Sequence, residues 1–208
     1  MFSTAGAEFV ENYQRDTPVR WSAQDLAAQR EFVNARLGAR KWLDWSTPAA
    51  MLQLVQASHA QTSVGTAEKY DAVVLAGPAA ELLEPAWLFG EAARPLRPGG
   101  RLIGIIPCLR DNSPESQTFA QLVTKSLWPC YTAEELLEML REGGWEVASA
   151  ASSFVAIPRF NEAVLESQMG FKGFNPIFAR LISEGYDPME VGWGELRFVA
   201  TLNAKSIH

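Results

Sequence analysis

Two apolar runs decide the fold, Tyr70-Asp-Ala-Val-Val-Leu-Ala-Gly77 and Arg101-Leu-Ile-Gly-Ile-Ile-Pro107. Uninterrupted runs of this kind are typical of strands that are buried on both faces, as in parallel sheets. Between them, Pro85 is suited to the first turn of a helix of about ten residues, and Arg97-Pro-Gly-Gly100 is typical of a turn. Strand, helix, turn and strand in this order predict a βαβ unit of a parallel sheet.

The alternation of helices and strands continues toward the C-terminus. Thr132 and Glu135 have the spacing of a capping box at a helix start, and Gly143-Gly144 is suited to the end of that helix. A strand is predicted from Trp145 to Val155. A last strand is predicted from Glu195 to Asn203, because apolar residues alternate there with polar or smaller ones, as in a half-exposed antiparallel strand.

The N-terminal part adds two helices and one strand. Residues 23–37 predict a helix, Lys41-Trp-Leu-Asp-Trp45 a strand, and Thr47-Pro48 the start of another helix. Together these elements predict an α/β fold, a Rossmann-like three-layer sandwich with a mostly parallel sheet and an antiparallel last strand. We expect residues 1–208 to form a single domain, in which residues 158–192 are an aromatic-rich insertion before the last strand.

The composition excludes several classes of protein and of binding site. With 48% hydrophobic and 20% charged residues, the chain is neither disordered nor collagenous. Its net charge of −6 argues against a nucleic-acid surface, which needs clustered Lys and Arg. Its cysteines, Cys108 and Cys130, lack partners at metal-binding spacing, so no metal site is predicted. The absence of a leader pattern and of a long apolar run predicts a cytoplasmic protein with no membrane segment.

The stretch from Tyr70 to Pro107 resembles the class I S-adenosylmethionine-dependent methyltransferases, especially their small-molecule branch. Tyr70-Asp-Ala-Val-Val is similar to the fourth strand of that family, and Leu96-Arg-Pro-Gly-Gly-Arg-Leu102 is similar to the start of its fifth strand. The segments after Thr132 and after Leu196 resemble the helix and strand that follow. The resemblance covers residues 69–205, and it implies S-adenosylmethionine as cofactor and a small molecule as methyl acceptor.

The resemblance also implies where the cofactor binds. The segment from Leu37 to Leu52 is similar to the second strand of the family and its helix, which puts Asp44 in the place of the acid that hydrogen-bonds the ribose hydroxyls. Gly65-Thr-Ala-Glu68 is similar to a Gly-Asp-Ala-Glu turn at the adenine ring, with Thr66 in place of the carboxylate. The predicted cofactor-binding residues are therefore Asp44, Thr66, Ala67 and Gly77.

Each of these predicted binding residues could have a purely structural role instead. A carboxylate at Asp44, just before Ser46-Thr-Pro48, could equally cap the next helix. Thr66 and Ala67 could be the small residues that a turn before a buried strand needs.

One motif of the family is missing. About fifteen residues before Gly38 the family has a strand and a Gly-x-Gly-x-Gly loop, whose glycines let the backbone approach the cofactor. The chain has Val19-Arg-Trp-Ser-Ala-Gln-Asp-Leu-Ala-Ala28 in that region, with no glycine between Gly6 and Gly38. Side chains in such a loop would intrude on the cofactor, which argues against ordinary S-adenosylmethionine binding.

Aromatic residues near the predicted strand ends are candidates for a substrate pocket. Trp128 and Tyr131 could form one wall, and the insertion could cover it with Met169, Phe171 and Phe174. Alternatively, these side chains could fill a small core or form a homodimer contact.

No catalytic residues are identified from the sequence. Cys108 follows a predicted strand at the edge where this fold places active-site loops, but a buried, inert thiol is the alternative. Two functions from different classes stay open. One is a small-molecule methyltransferase with an altered first loop, and the other is a non-catalytic binding or assembly module with a protein partner. Methyl transfer depends on alignment and desolvation, so the lack of an acid–base pair does not decide between them.

Overall fold

The structure is a computed structural model, and it describes residues 23–59, 68–77, 80, 83–126, 130–156, 180–187 and 190–203. Six of the predicted site residues lie outside these ranges, namely Thr66, Ala67, Trp128, Met169, Phe171 and Phe174. Most of the predicted insertion, residues 158–192, lies outside them as well.

Five longer helices and five strands follow one another along the described residues. The helices are α1 Ala23–Leu37, α2 Pro48–His59, α3 Pro85–Ala93, α4 Pro114–Ser126 and α5 Ala133–Glu142. The strands are β1 Trp42–Asp44, β2 Tyr70–Leu75, β3 Leu96–Leu109, β4 Trp145–Ala156 and β5 Gly192–Leu202.

The strands form one mixed sheet with the order β1-β2-β3-β5-β4. β1, β2 and β3 are parallel neighbours, whereas β5 runs antiparallel to both β3 and β4. All strands except the last in sequence therefore run in the same direction. The predicted sheet, mostly parallel with an antiparallel last strand, is confirmed.

Helices cover both faces of the sheet, which confirms the predicted three-layer sandwich. On one face α2, α3 and α5 pack on the strands in the larger core, whose fully buried side chains include Leu54, Leu88, Leu140 and Phe198. On the other face α1 packs in a smaller core that contains Leu37, Ala72, Val74 and Ile103. Burying each large apolar side chain contributes about 1.5–3 kcal/mol, so apolar burial on two faces determines this architecture.

The predicted capping box at the start of α5 is confirmed. The backbone N–H of Thr132 donates to Glu135 Oε2 at 2.7 Å, and the backbone N–H of Glu135 donates to Thr132 Oγ1 at 3.2 Å. Two donors that the first helical turn leaves free are thus satisfied.

β5 is more buried than the sequence predicts. It lies between β3 and β4, and both of its faces are covered. On the face toward α1, the Glu195 side chain is 1% exposed and forms an ion pair with Arg197. Gln29 Nε2 of α1 donates to Glu195 Oε2 at 2.6 Å. The prediction of a half-exposed strand is wrong because these polar groups satisfy each other instead of facing water.

Two other regions differ from the predictions. β3 begins at Leu96, so residues 97–100, which were expected to form a turn, belong to the strand. The pairing of β3 with β2 shifts its register between Tyr70 and Ala72 of β2. Helix α4 is not predicted from the sequence. It begins after Ser113, whose Oγ accepts a hydrogen bond from the backbone N–H of Ser116 at 3.3 Å.

Among the described helices, none combines the length and the apolar character needed to span a membrane.

Gly104 of β3 lies close against Phe198 of β5 in the sheet. The two residues are directly paired across the sheet. A Cβ atom at Gly104 would lie 2.1 Å from Phe198 Cζ. The Phe198 ring is fully buried and meets the Phe89 ring edge to face, with centroids 6.0 Å apart. The Phe198 ring is therefore held between the β3 backbone and the Phe89 ring.

We expect Gly104→Ala to lower the free energy of unfolding by about 1–3 kcal/mol, because the added methyl group overlaps the Phe198 ring. The matched control is Gly90→Ala in α3, where an added Cβ meets no atom within 4 Å. This control is expected to raise stability by about 0.5–1 kcal/mol, because alanine favours helix interiors. Urea unfolding followed by circular dichroism measures both. Equal stability changes in the two variants would contradict the packing described.

Candidate functional site

β1 and β2 are hydrogen-bonded neighbours at one end of the described sheet. The backbone N–H of Trp45 donates to the carbonyl oxygen of Val74 at 2.8 Å, and the N–H of Asp71 donates to the carbonyl oxygen of Lys41 at 2.8 Å. In the classic doubly wound order the first strand lies beside the fourth, and a glycine-rich turn follows the first strand. Since the sequence resemblance makes β2 the fourth strand, β1 has the place of the first.

This pairing corrects the register expected from the sequence. The assignment of Leu37 to Leu52 as a second strand and its helix is wrong, so the resemblance no longer puts Asp44 in the place of the ribose-binding acid. Residues 23–30, near which the glycine loop was expected, belong to α1. The turn that occupies the place of the loop is Trp45-Ser-Thr-Pro48, which directly follows β1. It contains no glycine, so the motif is missing in the corrected register too.

Hydrogen bonds within this turn fix its conformation. Asp44 Oδ1 accepts from the Ser46 backbone N–H at 2.8 Å and from Ser46 Oγ at 2.6 Å. Asp44 therefore braces the turn, while Thr47 caps α2 by accepting from the Ala50 N–H at 3.2 Å. Pro48 has no N–H to donate. The start of α2 thus lacks one of the donors that helix N-termini offer to anions, and a second is already bonded.

The largest side chain of the turn does not intrude on the sheet edge. Trp45 is 3% exposed and belongs to the larger core. The close contact at the edge involves backbone instead, because a Cβ atom at Gly77 would lie 3.2 Å from the carbonyl oxygen of Ser46. Gly77 also has a φ of +58°, a conformation that favours glycine. Gly77 therefore lets the turns after β1 and β2 approach each other closely.

A cavity of about 370 Å³ lies at the carboxyl ends of β1 and β2, beside these two turns. Its volume is in the range of small-molecule sites, and its position is the switch point where doubly wound sheets bind ligands. The apolar lining comes from Val33, Trp42, Val74, Ala76 and Ile105, and the remaining lining from Gln29, Arg30, Asn34, Asp44, Ser46 and Gly77.

Two residues of β1 give this cavity its chemical character. Trp42 and Asp44 are two positions apart on the strand, so their side chains share one face. The Trp42 side chain is 41% exposed and offers an aromatic surface for a planar ring. Asp44 Oδ1 is bonded to Ser46, whereas Oδ2 accepts no hydrogen bond from the residues that the structure describes. Such an oxygen can accept from ligand hydroxyl groups.

Of the predicted cofactor-binding residues, Asp44 and Gly77 both line the cavity. Of the predicted substrate residues, Tyr131 is described and does not line it. The Tyr131 hydroxyl donates to Glu84 Oε1 at 2.9 Å. Burial, together with this hydrogen bond, raises the pKa of Tyr131 to about 12. This contact links the segment before α3 to the segment before α5.

Asp44 and Gly77 were the cavity residues predicted from the sequence; those not predicted include Trp42 of β1 and Gln29, Arg30 and Asn34 of α1. Trp42 was noted only as part of a strand. The spacing of Arg30 and Asn34, four residues apart, places them on one face of α1 and was the available signal. No group of three or more His, Cys, Asp or Glu side chains in the described ranges is arranged to hold a metal ion.

Cys108 lies apart from the cavity. It belongs to the larger core and is 1% exposed. Burial, and secondarily the charge of Glu195, raise the pKa of the thiol to about 12. Because the thiolate is the reactive form, Cys108 is an inert thiol.

In a Cys130→Ser variant, Cys108 is the remaining cysteine of the chain. We expect this folded variant to react with Ellman's reagent far more slowly than free cysteine at mildly alkaline pH, because the thiol is buried and protonated. Unfolding in guanidinium chloride should release one reactive thiol per chain. Prompt stoichiometric reaction of the folded variant would show instead that Cys108 is accessible.

No protein-family model matches the chain, and no curated protein sequence matches it. Solved structures match its fold. The chain is similar to geranyl diphosphate methyltransferase in complex with GPP and sinefungin, at 14% identity and a TM-score of 0.52, over 86% of this chain and 79% of that chain. It is similar to a protein of Galdieria sulphuraria proposed to be a sarcosine dimethylglycine methyltransferase, at 11% identity and a TM-score of 0.51, over 95% and 98% of the two chains.

The (4+2)-cyclase SpnF is similar as well, at 18% identity and a TM-score of 0.50, over 87% of this chain and 83% of that chain. At such identities the likeness concerns the fold. The order of the strands, the antiparallel last strand and these neighbours agree, and the chain has the fold of the class I S-adenosylmethionine-dependent methyltransferases.

Proposed function

We propose that this chain is a methyltransferase-like protein whose cavity binds S-adenosylmethionine or its product S-adenosylhomocysteine. The observation that carries the proposal is Asp44 Oδ2, which accepts no hydrogen bond from any described residue and lies in a cavity at the switch point of the sheet. A neighbour of the same fold, a geranyl diphosphate C-methyltransferase from Streptomyces coelicolor, is known in complex with S-adenosyl-L-homocysteine. Its substrate, geranyl diphosphate, is a small molecule, and we extend this substrate class to the present chain.

The cavity residues fit the nucleoside part of this ligand. In the proposed complex, the Trp42 ring stacks on the adenine and Asp44 accepts hydrogen bonds from the ribose hydroxyls. Gly77 carries no side chain at the cavity edge, where a Cβ atom would lie 3.2 Å from the Ser46 carbonyl oxygen. The start of α2 offers an anionic group fewer donors than usual, since Pro48 has no N–H and Thr47 Oγ1 already accepts from the Ala50 N–H.

Bound S-adenosylmethionine supplies an electrophilic methyl group, and the protein supplies position and exclusion of water. Gln29, held by Glu195, keeps α1 over the cavity as its outer wall. The predicted substrate residues, Trp128, Tyr131, Met169, Phe171 and Phe174, remain the proposed contacts for the methyl acceptor. Within this proposal no residue acts as an acid or base.

A second candidate function is a non-catalytic binding or assembly module. The turn Trp45-Ser-Thr-Pro48 favours it, because it replaces a glycine-rich loop with a buried indole and a capped helix start. The similarity to a (4+2)-cyclase also indicates that proteins of this fold carry out more than one kind of reaction.

Calorimetric titration with S-adenosylmethionine and S-adenosylhomocysteine tests the first candidate through an Asp44→Asn variant. Asparagine keeps an Oδ1 acceptor for Ser46, so the turn is retained, but it replaces the free oxygen with an N–H donor. We expect micromolar binding to the unaltered protein and binding weaker by about tenfold or more to Asp44→Asn.

The matched control is Asp71→Asn at the opposite end of β2. Asp71 accepts from the Lys41 N–H at 3.1 Å and from Arg97 Nη1 at 3.0 Å, away from the cavity. Its variant should bind as the unaltered protein does. If a cooperatively folded sample gives no heat with either ligand, the cofactor proposal is overturned and the non-catalytic module is the better function.

A further inference from the structure

A second cavity, of about 520 Å³, lies between α5 and β4. β4 ends the described sheet on the side away from β1, and its first residue, Trp145, lines the cavity. Because β4 runs in the same direction as β1, β2 and β3, its start lies at the edge of the sheet opposite to the switch point. This amino-edge cavity is therefore separate from the proposed S-adenosylmethionine site.

One helix and one strand give the amino-edge cavity an apolar lining. Leu137 of α5 and Val147 of β4 are half-buried there, and Ala150 of β4 is exposed. Val147 pairs with Ala200 and Ala150 pairs with Phe198, and both partners belong to the larger core. Although they are three positions apart, Val147 and Ala150 thus share the face that carries α5, because the pairing shifts its register just after Val147. The irregularity extends the apolar surface of the cavity along β4.

Two polar groups in the lining of this cavity lack partners. Arg141 lies four positions after Leu137, hence on the same face of α5. It is exposed, and its guanidinium forms no hydrogen bond or ion pair with the residues that the structure describes. Trp145 is 3% exposed, and its indole N–H is a buried donor with no acceptor in the same part of the chain. Since buried donors are nearly always paired, the unused N–H is an unusual feature of this lining.

The lining fits a ligand with an apolar body and an anionic end. An aliphatic chain would cover the apolar side chains between α5 and β4. A carboxylate matches the guanidinium of Arg141, because the two groups can form two parallel hydrogen bonds. Glu146 also contributes to the lining, but it directly follows Trp145, so alternation along β4 puts its side chain on the opposite face of the strand.

We propose that the amino-edge cavity is a second ligand site, which binds an organic anion with an aliphatic body. The carboxylate of this ligand lies on Arg141, and its chain lies against Leu137, Val147 and Ala150. A ligand held there leaves the cavity at the carboxyl ends of β1 and β2 open, so both sites can be filled at the same time.

Titration of the full chain with hexanoate, followed by NMR of the Trp145 indole N–H signal, tests the proposal. A Trp145→Phe variant assigns this signal among those of the seven tryptophans. Hexanol has the same chain without the charge, and acetate has the charge without the chain. We expect hexanoate to shift the signal with an affinity of about 1 mM or tighter. Hexanol and acetate should bind about fivefold more weakly or worse, because each lacks one of the two contacts.

Three variants locate the contacts. Arg141→Gln should weaken hexanoate binding about fivefold or more and leave hexanol binding within about twofold, since only the charge contact is lost. The matched control is Arg40→Gln, which is exposed and outside the cavity lining, and it should leave both affinities unchanged. Ala150→Phe places a large ring in the cavity and should weaken both ligands.

Two outcomes would overturn the proposal. If hexanoate leaves the Trp145 signal unmoved, the amino-edge cavity is not a ligand site. If Arg141→Gln weakens hexanoate no more than it weakens hexanol, Arg141 does not select an anion. Neither result bears on the proposed function, because S-adenosylmethionine binding is measured separately at the opposite edge of the sheet.

Discussion

The direct pairing of β1 with β2 is the constraint on which the rest of the site depends. The chain passes from one strand to the other through a short turn, α2 and residues 60–69, and β1 ends the described sheet. Parallel neighbours bring their carboxyl ends to the same edge, so Asp44 and Gly77 meet there. The cavity at this edge has one wall made by the strands, and α1 supplies the wall opposite to it.

The position of α1 depends in turn on a buried charge. A carboxylate as enclosed as Glu195 is costly to bury unless its oxygens are bonded, and Arg197 and Gln29 bond both of them. Apolar contacts alone would let a helix slide on a sheet, because they are not directional. The hydrogen bond from Gln29 is directional and fixes the rotation of α1, and with it the side chains that face the cavity.

The sequence predicts the elements of this fold better than their arrangement. Local preferences determine the strands at 70–77 and 101–107 and the capping box of Thr132 and Glu135. Such preferences depend on neighbouring residues, so they can be recognised in the sequence. The register of β1 depends instead on which strand it joins. The burial of β5 depends on Gln29, which lies 166 positions from Glu195. Long-range pairing of this kind has no local signal, so the spacing of Arg30 and Asn34 places them on one face of α1 but does not show that this face lines the cavity.

Trp45 has a consequence for how this protein can change over evolutionary time. Its indole fills the larger core from within the turn that stands where doubly wound folds carry a glycine-rich loop. Replacing it with glycine would leave a void that costs about 3–5 kcal/mol, a large share of the stability of an ordinary domain. A glycine-rich turn at this place therefore requires compensating substitutions elsewhere in the larger core. The buried indole thus makes this change costly on its own and preserves the present form of the site.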